Sequence, residues 1–207
     1  GASGITVHLR MDRRHIQDSD VERLRASVGG KLNLEMSIAE EMVKTALRIK
    51  PAQVTLVPER PEEVTTEGGL NLVFYGRRIG EVVDRLADAG IGVSLFLDPE
   101  PRQIEAIATL APRGIQGFEI NTDAYTRAPG GLAADQELAK IAEVAELGRS
   151  HGLRLYAGHG LTVDNVGPIA AITDMEELNI GYSIIARAVM VGVEAAVREM
   201  LEAIAAR

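Results

Sequence analysis

The sequence contains no cysteine and no tryptophan, and aromatic residues make up only 3% of the chain. Without cysteine, neither a disulfide bond nor a thiolate metal site can form, which fits a reducing compartment such as the cytoplasm. Hydrophobic residues still make up 46% of the 207 positions. The core must therefore be built mainly from Ala, Val, Ile and Leu, and such side chains suit helices that pack in layers on a sheet.

Positive charge is also scarce, because 22 Lys and Arg residues face 30 Asp and Glu residues, for a net charge of −8. This balance excludes the broad basic surface of a general nucleic-acid binder, but a few local arginines can still hold a small anion. No apolar run approaches the ~20 residues of a membrane span, and the first residues do not show the basic-then-apolar pattern of a signal peptide. We expect a soluble, cytoplasmic protein that binds neither nucleic acid nor membranes.

Strand and helix patterns alternate along the whole chain, without a linker. Ser19 or Asp18 is the predicted cap of the first helix, Ser37-x-x-Glu40 predicts a capping box for the second, and Asp98-Pro99 is predicted to open the fourth. A final Ala-rich helix is expected to reach Arg207. The seven predicted strands are residues 4–10, 31–36, 53–57, 92–97, 115–120, 153–157 and 177–181.

This alternation predicts a parallel sheet covered by helices, either a closed barrel or an open doubly wound sheet. No Gly-x-Gly-x-x-Gly turn follows the first strand, as it would in a dinucleotide-binding sheet. Ionisable residues follow many strands, as at the C-terminal face of a barrel. We therefore predict a (β/α)8 TIM barrel as a single domain over residues 1–207, with seven of the eight βα units present and the first one expected before Gly1.

His8 and Glu35 occupy the ends of the first two predicted strands, where side chains of a barrel face the active site. A carboxylate inside an apolar run is costly to bury without a partner or a function. Two bases with different environments can share acid–base chemistry. The structural alternative is an ordinary histidine at position 8 and a salt bridge from Glu35 to Lys31 or Arg10.

Positive charge near the first strand favours an anion site. Arg10 and His15 are the candidate ligands, because guanidinium and imidazolium groups bind phosphate oxygens. Arg13 and Arg14 are better explained as a solvated loop surface. Thr65, in a Gly-rich polar segment, is a weaker candidate for a lid or a phosphate contact.

Two further segments carry candidate residues. Glu119 repeats the pattern of Glu35 on another strand, and Gly158-His159-Gly160 places a histidine between two glycines that expose backbone N–H groups. The segment Asn179-Ile180-Gly181 ends the last strand, and phosphate sites of such barrels follow the last two strands. His151, before Gly152, is expected to be structural. A metal site is not expected, since no histidine pair has ligand spacing.

Taken together, these segments resemble the pyridoxine 5'-phosphate synthase family over essentially the whole chain. The segments that carry the resemblance are GITVHLR (4–10), DRRHI (12–16), LNLEM (32–36), LVPE (56–59), EVTTEGG (63–69), VSLF (93–96), AGHGL (157–161) and ELNIG (177–181).

The resemblance implies a (β/α)8 barrel that assembles as a homo-octamer and needs no cofactor. It implies condensation of 1-deoxy-D-xylulose 5-phosphate with 3-amino-2-oxopropyl phosphate to pyridoxine 5'-phosphate, with release of phosphate and water. The roles that it implies are proton acceptors (His8, Glu35), a proton donor (His159), a transition-state stabiliser (Glu119), ligands of the deoxyxylulose phosphate (Arg10, His15, Thr65) and contacts to the aminoketone phosphate (Gly160, Gly181).

Two departures from the family pattern bear on activity. The family's first strand, with an Asn-x-Asp-His motif, has no counterpart here, and Tyr182 stands where the family usually has a histidine. Tyrosine can donate a hydrogen bond to a phosphate but carries no positive charge. The alternatives are an inactive truncated barrel that acts only within an assembly, and another barrel that handles phosphosugars.

Overall fold

The computed structural model describes residues 1–59, 68–110 and 114–206. The strands are β1 (Gly4–His8), β2 (Lys31–Met36), β3 (Gln53–Leu56), β4 (Gly92–Leu97), β5 (Ile115–Asn121), β6 (Arg154–Gly158) and β7 (Met175–Asn179). The helices are α1 (Asp18–Ser27), α2 (Glu40–Ile49), α3 (Leu72–Asp88), α4 (Pro101–Leu110), α5 (Asp123–Arg127), α6 (Leu132–Ser150), α7 (Val166–Ala170), α8 (Tyr182–Val191) and α9 (Val193–Ala205).

All seven strands are parallel and lie in one sheet in chain order, each paired with the next. The sheet curls so far that its first and last strands meet through side chains: Thr6 Oγ1 on β1 donates to Asn179 Oδ1 on β7 at 2.7 Å. Within the described residues, the backbones of these two strands do not pair. The fold is therefore the predicted (β/α) barrel with seven units present.

Successive side chains of each strand point alternately to the outer hydrophobic layer and to the barrel interior. On β2, the side chains of Leu32, Leu34 and Met36 join the hydrophobic core between sheet and helices. Their neighbours Lys31 and Glu35 point the other way, because successive strand residues face opposite sides, and line a cavity. The same alternation gives the barrel a polar interior and a dry outer layer.

The helices cover the outer layer with amphipathic faces. On α2, Met42, Val43, Ala46 and Ile49 are buried at the spacing of one helical stripe. Lys50 caps the C-terminus of this helix: it adopts a left-handed conformation with φ of 53° and donates its N–H to the carbonyl of Ala46.

Two of the predicted helix caps are wrong. Gln17, not Ser19 or Asp18, caps α1, and it forms a reciprocal capping box with Asp20. The N-cap residue of α2 is Ala39, without a side-chain hydrogen bond, so Ser37 forms no capping box with Glu40. Each helix starts one or two residues away from the predicted start, and a cap needs an exact position.

Two further boundaries differ from the prediction. Asp98 does not open α4, which begins at Pro101; its carboxylate instead accepts hydrogen bonds from Gly69 N and Asn121 Nδ2 at 3.0 and 2.8 Å. The predicted final helix is broken into α8 and α9 at Gly192, whose φ of 86° is unfavourable for other residues. Arg207 lies outside the described residues.

Helix α8 differs from the others because none of its ten residues is buried. Ile185, Val189 and Met190 are 61%, 81% and 79% exposed. In the part of the chain that the structure describes, no helix is long and apolar enough to span a bilayer.

Candidate active site

A cavity of about 1020 Å³ lies inside the barrel and opens at the C-terminal ends of the strands. It also extends between β1 and β7 toward Lys31 and Glu177, near the N-terminal ends of the strands. Thr65, the tenth predicted site residue, lies outside the described residues. The other nine predicted site residues all line this cavity: His8, Arg10, His15, Glu35, Glu119, His159, Gly160, Gly181 and Tyr182.

His8 and Glu35 are register partners at the ends of β1 and β2. The distance from His8 Nδ1 to Glu35 Oε2 is 3.9 Å, and the side chains are 17% and 16% exposed. His8 Nε2 is buried and has no hydrogen-bond partner among the described residues. A buried nitrogen that lines a cavity without a partner is available to a substrate.

The environment moves the pKa values of these two groups in opposite directions. Burial, Arg10 and the two histidines His15 and His159 lower the pKa of His8 to about 4. Burial raises the pKa of Glu35 to about 7. At neutral pH, His8 is therefore a neutral imidazole, and Glu35 can either hold or release a proton.

Glu35 does not form the salt bridge to Lys31 or Arg10 that was its alternative, structural role, because both cations bind elsewhere. Lys31 Nζ pairs with Glu177, across the interior from β2 to β7. Arg10 Nε lies 3.5 Å from Asp12 and 3.7 Å from Glu59. Lys31 and Arg10 thus pair with other carboxylates.

Glu119 is 1% exposed and projects from β5 into the interior. Burial and the nearby Glu35 raise the pKa of Glu119 well above its usual range, while a hydrogen bond from Asn179 acts in the opposite direction. Asn179 Nδ2 donates to Glu119 Oε2 at 2.8 Å. Because burial is the largest of these effects, it favours the protonated form of Glu119, which can donate a hydrogen bond.

The loop after β6 holds His159 in an unusual backbone conformation. The φ angles of His159 and Gly160 are 82° and 71°, both in the left-handed region. The His159 ring contacts the Phe96 ring with centroids 4.7 Å apart, and Thr122 Oγ1 donates to the carbonyls of Gly158 and His159. These contacts hold an otherwise strained turn in place.

The predicted cations occupy different depths. Arg10 is 2% exposed and lies 3.5 to 3.7 Å from two carboxylates, whereas His15 is exposed at the cavity mouth. Arg13 is not the solvated residue that was expected, because it binds Asp18 at 2.8 Å and also Glu41. Arg14 does remain on the surface, paired with Asp12.

The start of α8 completes the opposite wall. Gly181 precedes the helix, and Tyr182, its first residue, is 90% exposed at the cavity mouth. Ser183 Oγ donates to the carbonyl of Leu161 at 2.7 Å, which ties this helix start to the loop of His159. The backbone N–H groups at a helix start form an anion site.

Sequence reasoning missed several residues of this cavity. The short helix α5 was not predicted, although its Thr126 and Arg127 line the cavity. Thr6 and Asn33 were also missed, and Asn179 was noted only as part of the segment that ends the last strand. Strand periodicity could have found these, because Thr6 and Asn33 precede His8 and Glu35 by two positions and so share their face.

Within the described residues, no group of three or more His, Cys, Asp or Glu side chains is arranged to hold a metal ion. The arrangement offers acid–base groups of different pKa values, a helix start and buried or nearby cations. Such an arrangement can carry out proton transfer on an anionic substrate.

Solved structures with the same curled sheet are barrels of similar size. KGPDC from Streptococcus mutans matches with a TM-score of 0.66 at 15% identity, covering 98% of this chain and 85% of that one. Phosphoribosyl anthranilate isomerase from Thermus thermophilus matches with a TM-score of 0.60 at 14% identity, covering 100% and 89%. At such identities, the likeness establishes the fold alone. The fold is therefore that of a (β/α)-barrel, and its cavity is a candidate site for acid–base catalysis.

The family follows from sequence comparison. Residues 1–206 match the family model described as pyridoxal phosphate biosynthesis protein PdxJ, and this chain belongs to that family. A pyridoxine 5'-phosphate synthase of Trichormus variabilis is 57% identical over 204 residues, which are 99% of this chain and 84% of the relative. A relative of the same name from Acaryochloris marina is 52% identical over 207 residues, covering 100% and 85%.

Proposed function

We propose that this chain is a pyridoxine 5'-phosphate synthase. Its substrates are 1-deoxy-D-xylulose 5-phosphate and 3-amino-2-oxopropyl phosphate, and its products are pyridoxine 5'-phosphate, inorganic phosphate and water. The observation that carries the proposal is the convergence of His8, Glu35, Glu119 and His159 on one cavity in a chain 57% identical to a protein of that name.

The reaction needs repeated proton transfers, and the four ionisable groups supply them in complementary states. Condensation of the amine with the ketone loses water, and the later steps remove phosphate and close the ring. His8, neutral because its pKa is about 4, accepts a proton at an imidazole nitrogen. Glu35, with a pKa of about 7, accepts a proton and returns it. His159 donates to the leaving oxygen, and Glu119 donates a hydrogen bond to developing negative charge.

Two phosphate groups must be held at the same time. Arg10, His15 and Thr65 bind the phosphate of deoxyxylulose 5-phosphate. Gly160 and Gly181 bind the phosphate of the aminoketone through backbone N–H groups, and the Tyr182 hydroxyl adds a hydrogen bond. Support comes from the positive side chains on the β1 side and the helix start on the β7 side. Fixing both substrates in one cavity lowers the entropic part of the barrier.

Self-association belongs to the same proposal, as a homo-octamer. The exposed apolar side chains of α8, such as Ile185 and Val189, support an interface on this helix, because large apolar patches usually mark contact surfaces. Sedimentation analysis should give a mass several times that of one chain. Val189→Glu should lower this mass, whereas Lys44→Glu, on the exposed surface of α2, should not.

The activity is tested by incubating the purified chain with both substrates and measuring pyridoxine 5'-phosphate by mass spectrometry and phosphate release. His159→Ala should lower kcat about 10²- to 10⁴-fold, the usual contribution of a general acid. His151→Ala is the matched control, because His151 is an exposed residue at the end of α6, and this variant should keep full activity.

Two results would contradict the proposal. A folded chain that forms no pyridoxine 5'-phosphate would favour the inactive barrel that acts only within an assembly. Product formation that is unchanged in His159→Ala would remove that residue from the mechanism.

A further inference from the structure

A row of neutral polar side chains crosses the barrel interior next to His8 and Glu35. Thr6 and Asn33 are register partners, as are His8 and Glu35 two residues later. We call this row the polar belt. Its members lie on five of the seven strands and are Gln53, Ser94, Thr55, Asn33, Thr6 and Asn179.

The first half of the polar belt is a chain of buried hydrogen bonds. Gln53 Nε2 donates to Ser94 Oγ at 3.3 Å. Thr55 Oγ1 donates its single proton to Asn33 Oδ1 at 3.0 Å. The 2.7 Å contact between Ser94 and Thr55 must therefore be a donation by the Ser94 hydroxyl.

The second half continues in the same direction and ends on a carboxyl group. Asn33 Nδ2 donates to Thr6 Oγ1 at 3.3 Å, and Thr6 Oγ1 donates to Asn179 Oδ1 at 2.7 Å. Asn179 Nδ2 then donates to Glu119 Oε2 at 2.8 Å. Hydrogen bonds that all point one way polarise each other, so the last donor is the most strongly polarised.

Asn179 is the member of the polar belt that contacts Glu119, and its amide group makes two hydrogen bonds. The oxygen accepts from β1 while the nitrogen donates to β5, which fixes the amide orientation. An aspartate would lack the donor and add a like charge, and leucine would lack both groups. Asparagine is therefore the side chain of this size that can make both bonds.

The bond to Asn179 makes the two carboxyl oxygens of Glu119 unequal. Oε2 is occupied by the amide donor, so a proton on Glu119 lies on Oε1. Oε1 lies against Gly158, where an added Cβ would come within 2.3 Å of it. Because Gly158 directly precedes His159, Oε1 is the oxygen on the side of the His159 loop.

We propose that Asn179 is a positioning residue for the reaction: it binds Glu119 Oε2 and leaves Oε1 as the oxygen that faces the His159 loop. This inference rests on the proposed function for its kinetic consequence. The charged groups that act on Glu119 are Glu35 and Lys31 on β2 and Glu177 on β7. The register partner of Glu119 on β6 is Tyr156.

Titration of Glu119 tests the positioning without any substrate. The carboxyl carbon of Glu119, labelled with ¹³C, is followed by NMR against pH in the wild-type chain and in Asn179→Leu. Loss of the donor should raise the Glu119 pKa, because the hydrogen bond from Asn179 stabilises the ionised form. Thr6→Val, which removes the hydroxyl that orients the amide, should cause a smaller rise, and Thr6→Ser should restore the wild-type titration.

Kinetics supply the second readout. Asn179→Leu should lower kcat about 10- to 100-fold, the usual effect of a misplaced catalytic group, with a KM change below about 3-fold for either substrate. Combined with Glu119→Gln, Asn179→Leu should cost little more, since both changes disable one group. Thr109→Val, which removes a hydroxyl from the outer surface of α4, should behave as wild type.

The outcomes separate the two proposals. An active wild type with an unchanged Glu119 titration in Asn179→Leu would overturn the positioning role. A chain that makes no pyridoxine 5'-phosphate, but in which the titration moves as expected, would overturn the proposed function and support the positioning. If Asn179→Leu does not fold, Thr6→Val and Thr6→Ser decide the question by the same titration.

Discussion

His8 Nδ1 lies 3.9 Å from Glu35 Oε2, at paired positions of β1 and β2. The pair is not a permanent ion pair, because His8 has a pKa of about 4 and Glu35 a pKa of about 7. At the pH where His8 gains a proton, Glu35 is already neutral. The two groups are both neutral over much of the range from pH 4 to 7, and each remains available to a substrate.

This arrangement predicts opposite pH effects on stability. The pKa of Glu35 is about 7 in the folded chain instead of its ordinary 4.5, so its contribution to the free energy of unfolding is present below pH 4.5 and is lost as the pH rises to 7. His8 titrates at about 4 instead of 6.5, so its contribution is present above pH 6.5 and is lost as the pH falls to 4. Each contribution is about 3 kcal/mol, and in wild type they largely cancel.

Single substitutions should reveal the two contributions. Relative to wild type, Glu35→Gln should gain about 3 kcal/mol in free energy of unfolding between pH 4.5 and 7, and His8→Gln should gain a similar amount as the pH falls from 6.5 to 4. Urea unfolding at a series of pH values measures both. A difference between Glu35→Gln and wild type that stays constant with pH would show that the Glu35 pKa is not raised.

The pH dependence of catalysis gives a separate prediction. If Glu35 accepts a proton, it must be ionised, so kcat/KM should rise with pH through about 7, its pKa in the structure. Glu35→Gln should lose this limb of the profile and lower kcat/KM about 10²- to 10⁴-fold. Glu143→Gln, on the exposed face of α6, should leave the limb in place. A limb near pH 7 that survives in Glu35→Gln would assign it to another group.

Gly160 should tolerate no side chain. Its φ is +71°, and a Cβ at this position would lie 2.0 Å from Thr126 Oγ1. We expect Gly160→Ala to lower the free energy of unfolding by about 1 to 3 kcal/mol and to reduce activity, because the His159 loop must move. The control is Gly167→Ala on α7, where a Cβ would meet nothing within 4 Å. Equal stability of the two variants, measured by urea unfolding, would contradict this account.

Much of the fold follows from hydrophobic periodicity. Strands β2 and β4 have the predicted bounds, and the other five differ by one or two residues at one or both ends. The periodicity of apolar residues indicates the approximate position of a strand, but it does not indicate the residue at which backbone pairing ends. Helix α5 was missed because five residues are too few for a periodic pattern. The cap predictions were wrong because Gln17 and Ala39, the actual N-cap residues, are not residue types that commonly cap helices.

The candidate site was predicted to a similar extent. His8, Glu35, Glu119 and His159 stand out in sequence because ionisable groups are unusual at the ends of apolar strands. The polar belt does not stand out, since Thr6, Asn33 and Thr55 are ordinary residues on strands. Their importance comes from register and curvature, which bring Thr6 and Asn179 together across 173 residues of sequence. Local sequence patterns do not contain such long-range contacts.

Lys31 and Glu177 lie on β2 and β7, each two residues before a member of the polar belt, and their ion pair should stabilise the fold. Lys31 Nζ binds the Glu177 carboxylate and lies 5.0 Å from the centre of the Tyr156 ring. The side chains are 28% and 23% exposed, so the pair is only partly screened by water. Lys31→Met should leave Glu177 without its cation and lower the free energy of unfolding by about 1 to 3 kcal/mol.

The double variant Lys31→Met with Glu177→Leu should recover most of this loss, because an apolar pair leaves no unpaired charge in the interior. Lys44→Met serves as the control: Lys44 pairs with Glu40 on the surface of α2 and is 73% exposed, so its removal should change stability by less than about 0.5 kcal/mol. Urea unfolding of wild type, Lys31→Met, Glu177→Leu and the double variant measures the coupling between the two residues. A double variant no more stable than Lys31→Met would mean that Lys31 stabilises the fold through the Tyr156 ring and not through Glu177.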